Sequence, residues 1–230
     1  MEFGLLAAAL LAFGSAWGLL RLTVATEQRR PAFDRMISAA VVGLFVGRIA
    51  AMALAGTNPI TRPLDVLIVR GGVDTGFAAT AALTWLAFAG RGDLWRNLDA
   101  VAPASLAGLA GWHLGCLFSG TCLGTTTSLP WGLTAAGGVV ARHSTEIYAA
   151  LAFVAAAALV AAARRQVTVP GILAAATLAA AAFIRLATEP LRLGIGTGPE
   201  WWYASGVAVG LGIVLYRVVN ARRPRRPPPS

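Results

Sequence analysis

Seven apolar runs, each close to the ~20 residues that carry a helix across a bilayer, limit what this chain can fold into. They read as Phe3–Leu20, Met36–Ala55, Gly71–Ala89, Val101–Phe118, Thr145–Ala163, Gly171–Thr188 and Trp202–Val219. With 57% hydrophobic and 13% charged residues and a mean hydropathy of +0.69, too little polar surface remains to wrap a soluble globule. The expected fold is an all-α integral membrane protein of seven transmembrane helices. These form one domain over residues 1–220, with a basic, proline-rich tail over 221–230.

The charges orient that bundle. Every basic residue is an arginine, and the net charge is +9. The arginines lie between the apolar runs rather than along a stripe, so the partner they imply is a lipid bilayer and not nucleic acid. The loops after the first, third and fifth runs, with the tail, hold Arg21, Arg29, Arg30, Arg35, Arg91, Arg96, Arg164, Arg165, Arg217, Arg222, Arg223, Arg225 and Arg226. The opposite side holds Arg62, Arg70, Arg142, Arg185 and Arg192, and Arg48 lies inside the second run. Cytoplasmic loops are enriched in arginine, so the amino end is expected outside and the carboxyl end in the cytoplasm. The first run has Glu2 before it and its arginines after it. That polarity is wrong for a cleaved leader, and the run is expected to stay as a span. Attraction to anionic lipid and disorder account for the tail.

The stretch Leu98–Gly124 carries more than an anchor needs. It opens at Leu98-Asp99, read as a membrane-surface turn. It then delivers His113, Gly115, Cys116, Ser119, Gly120, Cys122 and Gly124 within twelve positions. An ionisable ring near the end of a span is a functional candidate by default. Cys116 and Cys122 are favoured as two small apolar packers. A disulfide is the open alternative, because this end is expected on the oxidising side. Neither CxxC redox spacing nor a four-ligand metal set is present, and no cofactor is implied.

Other blocks carry polar groups toward the same side. Arg48 at the apolar centre of its run costs several kcal/mol unless a partner or a wet cavity receives it. A functional arginine and a structural one satisfied by carbonyls or an acid are both open. Asp74 is best read as a helix cap. Arg142-His143 at the mouth of a span suits a phosphate, while Ser144 or Thr145 suits the cap of the next helix. Arg185, Glu189 and Arg192 share one helical face if Pro190 only kinks the helix end.

Taken in order, these blocks resemble the bacterial prolipoprotein diacylglyceryl transferases. The family pattern L-D-x-x-A-P followed by G-R-I-G-C/N-F-x-N-G is matched by Leu98, Asp99, Ala102, Pro103, Gly115, Cys116, Gly120, Cys122 and Gly124. His113 stands at the family's arginine and Ser119 at its second asparagine. A Gly-x-Arg in the family's second span compares with Gly47-Arg48. After its N-P-L…G-G motif the family has a functional histidine where this chain has Gly76. Its R-H-P-T/S-Q-L-Y-E compares with Arg142, His143, Thr145 and Tyr148, while Ser144 replaces proline and Glu146 replaces glutamine. Its R-x-x-x-E-x-x-R compares with Arg185, Glu189 and Arg192.

The resemblance implies transfer of a diacylglyceryl group from phosphatidylglycerol to the lipobox cysteine of a lipoprotein precursor, releasing glycerol phosphate, at the bacterial cytoplasmic membrane. It implies His113, Arg185 and His143 as catalytic residues. Arg48, Arg142, Tyr148, Cys116, Ser119, Gly120, Gly124, Glu189 and Arg192 would bind substrate. The implied partners are phosphatidylglycerol or a similar anionic phospholipid, the precursor's signal segment and the bilayer. His113 and His143 are the only histidines, so a base working near neutral pH comes from them or from a displaced acid. The changes at His113 and Gly76 leave two further readings open. One is action on another thiol or phospholipid; the other is a non-catalytic member that binds lipid or a signal segment. Paired broken helices in two halves, the mark of many transporters, are missing from the sequence. Reporter fusions at Arg222 should read as cytoplasmic and fusions at Gly124 as external; a tail that reads as external would reverse the arginine-based orientation.

Overall fold

The computed structural model describes residues 2–67, 72–135, 137–193 and 200–222. Arg70, Gly71, the glycine-rich residues 194–199 and the tail from Arg223 onward lie outside these. Among the described residues, nine α-helices follow one another: α1 Glu2–Thr23, α2 Thr26–Leu54, α3 Pro63–Leu67, α4 Thr75–Ala89, α5 Leu94–Leu114, α6 Cys116–Ser119, α7 Thr145–Ala163, α8 Ile172–Thr188 and α9 Glu200–Arg222. Two short strands, β1 Leu133–Thr134 and β2 Ala141–Arg142, pair antiparallel in the loop before α7. Single 3-10 turns lie at Arg91–Asp93 and Glu189–Leu191.

Among the described residues, six helices are long and apolar enough to cross a membrane. Large apolar side chains such as Leu10, Phe45, Leu151, Leu159, Phe183 and Leu215 point outward and exposed, the reverse of a water-facing surface. This is a multi-pass membrane protein. The third expected span is the short one. Helix α4 begins at Thr75 because the Asp74 carboxylate accepts from the Phe77 N–H at 2.9 Å and caps it there. Its 15 residues extend ~22 Å at ~1.5 Å per residue, less than the ~30 Å hydrocarbon core.

Two compact units make up the chain, residues 24–98 and residues 1–23 with 99–230. In the first, α2 packs on α4. Gly47 makes that approach possible, since a Cβ there would collide with the side chains of Val73 and Ala78 and the Asp74 carbonyl. The second unit is built on α5, α7 and α8. Its core is Ala102, Leu106 and Ala110 of α5, Ala149, Phe153, Ala157 and Val160 of α7, and Leu173 and Ile184 of α8. Alanine dominates because close helix approach in lipid depends on small residues and van der Waals contact.

Leu98-Asp99 is not a surface turn; both residues lie inside α5. Asp99 can sit there because its carboxylate accepts from Gly171 N at 2.6 Å and Ala174 N at 2.8 Å. One helix therefore satisfies the otherwise unpaired N–H groups at the start of another. Ser144 occupies the N-cap position of α7 without a side-chain cap bond, and the Thr145 hydroxyl donates instead to the Leu191 carbonyl. Replacing Asp99 with alanine should cost about 1–3 kcal/mol, the desolvation of the N–H groups it serves. Alanine at Asp93, whose pair with Arg96 is exposed, should cost under about 0.5 kcal/mol. Unfolding of both variants in one detergent checks the contrast.

Candidate active site

The C-terminal end of α5, the first turn of α7 and the last turn of α8 meet in the 1–23/99–230 unit, and each brings ionisable side chains. Helix α5 delivers His113, only 6% exposed, stacked on Phe153 of α7 with ring centroids 5.2 Å apart. Glu146 lies in the first turn of α7. Its Oε2 accepts from His113 Nδ1 at 2.5 Å and its Oε1 from Arg192 Nε at 3.1 Å. Arg192 also approaches Glu189 at 3.6 Å, and Glu189 accepts from Arg185 Nη2 at 2.9 Å. Arg185 Nη2 reaches the Tyr203 hydroxyl at 3.3 Å.

The result is a chain of contacts from His113 through Glu146, Arg192, Glu189 and Arg185 to Tyr203. It begins on α5, runs through α7 and α8, and ends on α9. The side chains of Glu146, Arg185 and Glu189 are 15%, 14% and 13% exposed, whereas Arg192 is 39% exposed. Two carboxylates face two guanidiniums, so the cluster is neutral with a neutral imidazole and carries one positive charge with a protonated one. An ionised carboxylate only accepts, so with Glu146 ionised this contact calls for the ring hydrogen at Nδ1. Among the described residues Nε2 makes no hydrogen bond. The same holds for Nε and Nη1 of Arg185 and Nη2 of Arg192. The arginines are paired, yet one side of each fork stays open.

Pro190 shapes the end of this chain. It does not break α8 but turns its continuation into the Glu189–Leu191 3-10 turn, which keeps Arg185, Glu189 and Arg192 on one side. The Leu191 carbonyl there accepts from Thr125 N at 2.8 Å and from the Thr145 hydroxyl at 2.9 Å. Gly124 N donates to the His143 carbonyl at 2.7 Å, and His143 N donates to the Thr125 carbonyl at 2.9 Å. Gly124 is needed at this knot. A Cβ there would collide with the Leu191 carbonyl and the Thr145 hydroxyl.

The other sequence-named residues fall around it. Arg142 Nη1 donates to the Gly124 carbonyl at 3.2 Å, holding the loop. His143 and Tyr148 meet edge to face with centroids 6.1 Å apart. His143 Nδ1 and the Tyr148 hydroxyl are buried without a hydrogen-bond partner among the described residues. Cys116 and Cys122 form a disulfide, which overturns the favoured reading of two free packers. Their separation brackets a tight turn in which Gly120 has φ of 70°, and that turn brings the sulfurs together. The Ser119 hydroxyl is 2.7 Å from that of Thr121.

Arg48 belongs to the 24–98 unit. Its Nε and Nη2 donate to the Asp65 carbonyl at 3.1 and 2.9 Å, and its Nη1 to the Gly72 carbonyl at 3.0 Å. Backbone carbonyls thus receive this buried guanidinium. Glu146 is the residue the sequence reading passed over. The signal was an acid where the related pattern has glutamine, but a lone acid in a first turn is also an ordinary helix-dipole partner.

The family described as prolipoprotein diacylglyceryl transferase matches residues 2–220. The phosphatidylglycerol–prolipoprotein diacylglyceryl transferases of Cupriavidus necator and Cupriavidus pinatubonensis are each 30% identical over 123 residues. Those matches cover 50% of this chain and 45% of each relative, so the chain spans less than half the length of the curated relatives it matches. With the family matched over residues 2–220, almost all of its length, the chain belongs to the prolipoprotein diacylglyceryl transferase family.

Proposed function

We propose that this protein transfers the diacylglyceryl group of phosphatidylglycerol, or a similar anionic phospholipid, to the thiol of a lipoprotein precursor. The observation that carries the reading is a histidine with an open Nε2 at one end of a chain of contacts whose arginines keep open forks. Transfer to a thiol needs two things: a group to take the thiol proton, and fixed positive charge where phosphate oxygens gain charge. His113 supplies the first. Arg185 and Arg192 supply the second, with Nε and Nη1 of one and Nη2 of the other available for bidentate contact. His143 and Tyr148 offer two further unpartnered polar atoms for a headgroup.

Orientation and location belong to the same proposal. The amino end lies outside, seven segments cross with α4 as the short one, and the carboxyl end is cytoplasmic in the bacterial inner membrane. The arginine distribution supports this, and so does a disulfide at the His113 end, since such bonds persist on the oxidising side. The precursor's signal segment and the phospholipid would then reach the site within the bilayer's outer half.

One observation favours a second reading, a member that binds lipid without turnover. Arg185 and Arg192 are already neutralised by Glu146 and Glu189, and Gly76 offers no side chain. The two readings separate in vesicles of labelled phosphatidylglycerol with a lipobox peptide. The transferase reading expects labelled peptide from the wild type. It expects a loss on the order of a hundredfold or more in Arg185→Gln, none detectable in His113→Ala, and no change in Arg96→Gln. Lipid binding with no labelled peptide from the wild type would establish the second reading.

A further inference from the structure

Glu146 is the only side chain that holds His113 by a hydrogen bond among the described residues, and the reading above gives it no task. We propose that Glu146 is the positioning residue of the transfer reaction. It fixes the imidazole with hydrogen on Nδ1, so that Nε2 is the nitrogen presented to the acceptor thiol. This rests on the transferase reading and adds to it a residue that acts through His113.

Three features of the geometry support the assignment. The contact is short, 2.5 Å from Nδ1 to Oε2, and both partners are largely buried, at 7% and 15% side-chain exposure. Phe153 stacks on the imidazole with planes 21° apart, which fixes the plane of the ring while the Glu146 contact engages its Nδ1 edge. The second oxygen of Glu146 accepts from Arg192 Nε, which anchors the carboxylate at both oxygens. A carboxylate held from both sides stabilises the imidazolium that forms when the ring gains a proton, as carboxylates do for histidine bases and ligands elsewhere. In this role Glu146 acts through His113.

The step balances. The thiol's proton passes to His113 Nε2 while Nδ1 keeps its own hydrogen, still donated to Glu146. The sulfur's electron pair forms a bond to the terminal glyceryl carbon of the phospholipid. The bond from that carbon to the phosphate oxygen breaks, its electrons leaving with glycerol phosphate. The proton on Nε2 then goes to the departing phosphate or to water, and the imidazole is neutral again.

Two measurements on the full-length protein in phosphatidylglycerol bilayers test this. Because the chain has only His113 and His143, the variant His143→Asn leaves one imidazole for nitrogen-15 spectroscopy. The neutral ring should carry its hydrogen on Nδ1, and adding Glu146→Gln should move the population toward the Nε2–H form. In steady-state transfer to a lipobox peptide, Glu146→Gln should lower kcat on the order of a hundredfold with KM for phosphatidylglycerol within about twofold. Glu146→Asp should recover part of the loss. A wild-type ring protonated on Nε2, or full transfer by Glu146→Gln, would overturn the role of Glu146 alone. So would a loss in Glu146→Gln that falls wholly on KM, the mark of a loosened fold. A wild type with no transfer would instead remove the transferase reading and this role with it.

Discussion

A carboxylate shared between an imidazole and a guanidinium is the interaction on which the rest of this site depends. Glu146 takes His113 on one oxygen and Arg192 on the other. It thereby joins α5 and α7 to the segment that follows α8. Glu146, 15% exposed, is the member of this trio that burial penalises most without a partner. A buried charge without its partner costs several kcal/mol, and breaking such a pair by removing one member is costly for the same reason. The cluster is therefore one unit, with opposite charges alternating from Glu146 to Arg185.

Packing decides where that unit can form. Alanines along α5 and α7 let the helices close around Phe153 and Leu106, both fully buried. Asp99 ties the far end of α5 to the start of α8. From Asp99 to His113 is about four helical turns, or ~21 Å at ~1.5 Å per residue, so the bundle is fixed at one end by a capping acid and at the other by the charged cluster. The Leu191 carbonyl, accepting from both Thr125 and Thr145, fastens the loop after α6 to the same place. In the proposed reaction this frame would hold charged groups with open edges, which is what pre-organised stabilisation of developing charge needs.

Much of this was legible in the sequence, and the exceptions have physical causes. The membrane class followed from apolar runs whose length only a bilayer explains. The grouping of Arg185, Glu189 and Arg192 followed from helical spacing, and Asp74 as a cap followed from its place before Thr75. The start of α4 was read too early, because glycine and valine ahead of Asp74 are apolar enough to extend a hydropathy run without being helical. Leu98-Asp99 was misplaced because an acid in an apolar stretch suggests a surface, whereas this one is satisfied by the end of a distant helix. The disulfide and Glu146 both depend on proximity that spacing does not encode. Cys116 and Cys122 needed the turn at Gly120, and Glu146 needed Arg192, 46 residues further along the chain.

The central claim is that the charged cluster acts as one coupled unit, and a double-mutant cycle on Glu146 and Arg192 tests it most directly. Free energies of unfolding would be measured in one detergent for the wild type, Glu146→Gln, Arg192→Gln and the double variant. A shared, partly buried pair predicts a coupling of about 1–3 kcal/mol, with the double variant less damaged than the sum of the single ones. Additivity within about 0.3–0.5 kcal/mol would mean that the two side chains act independently and would contradict the account.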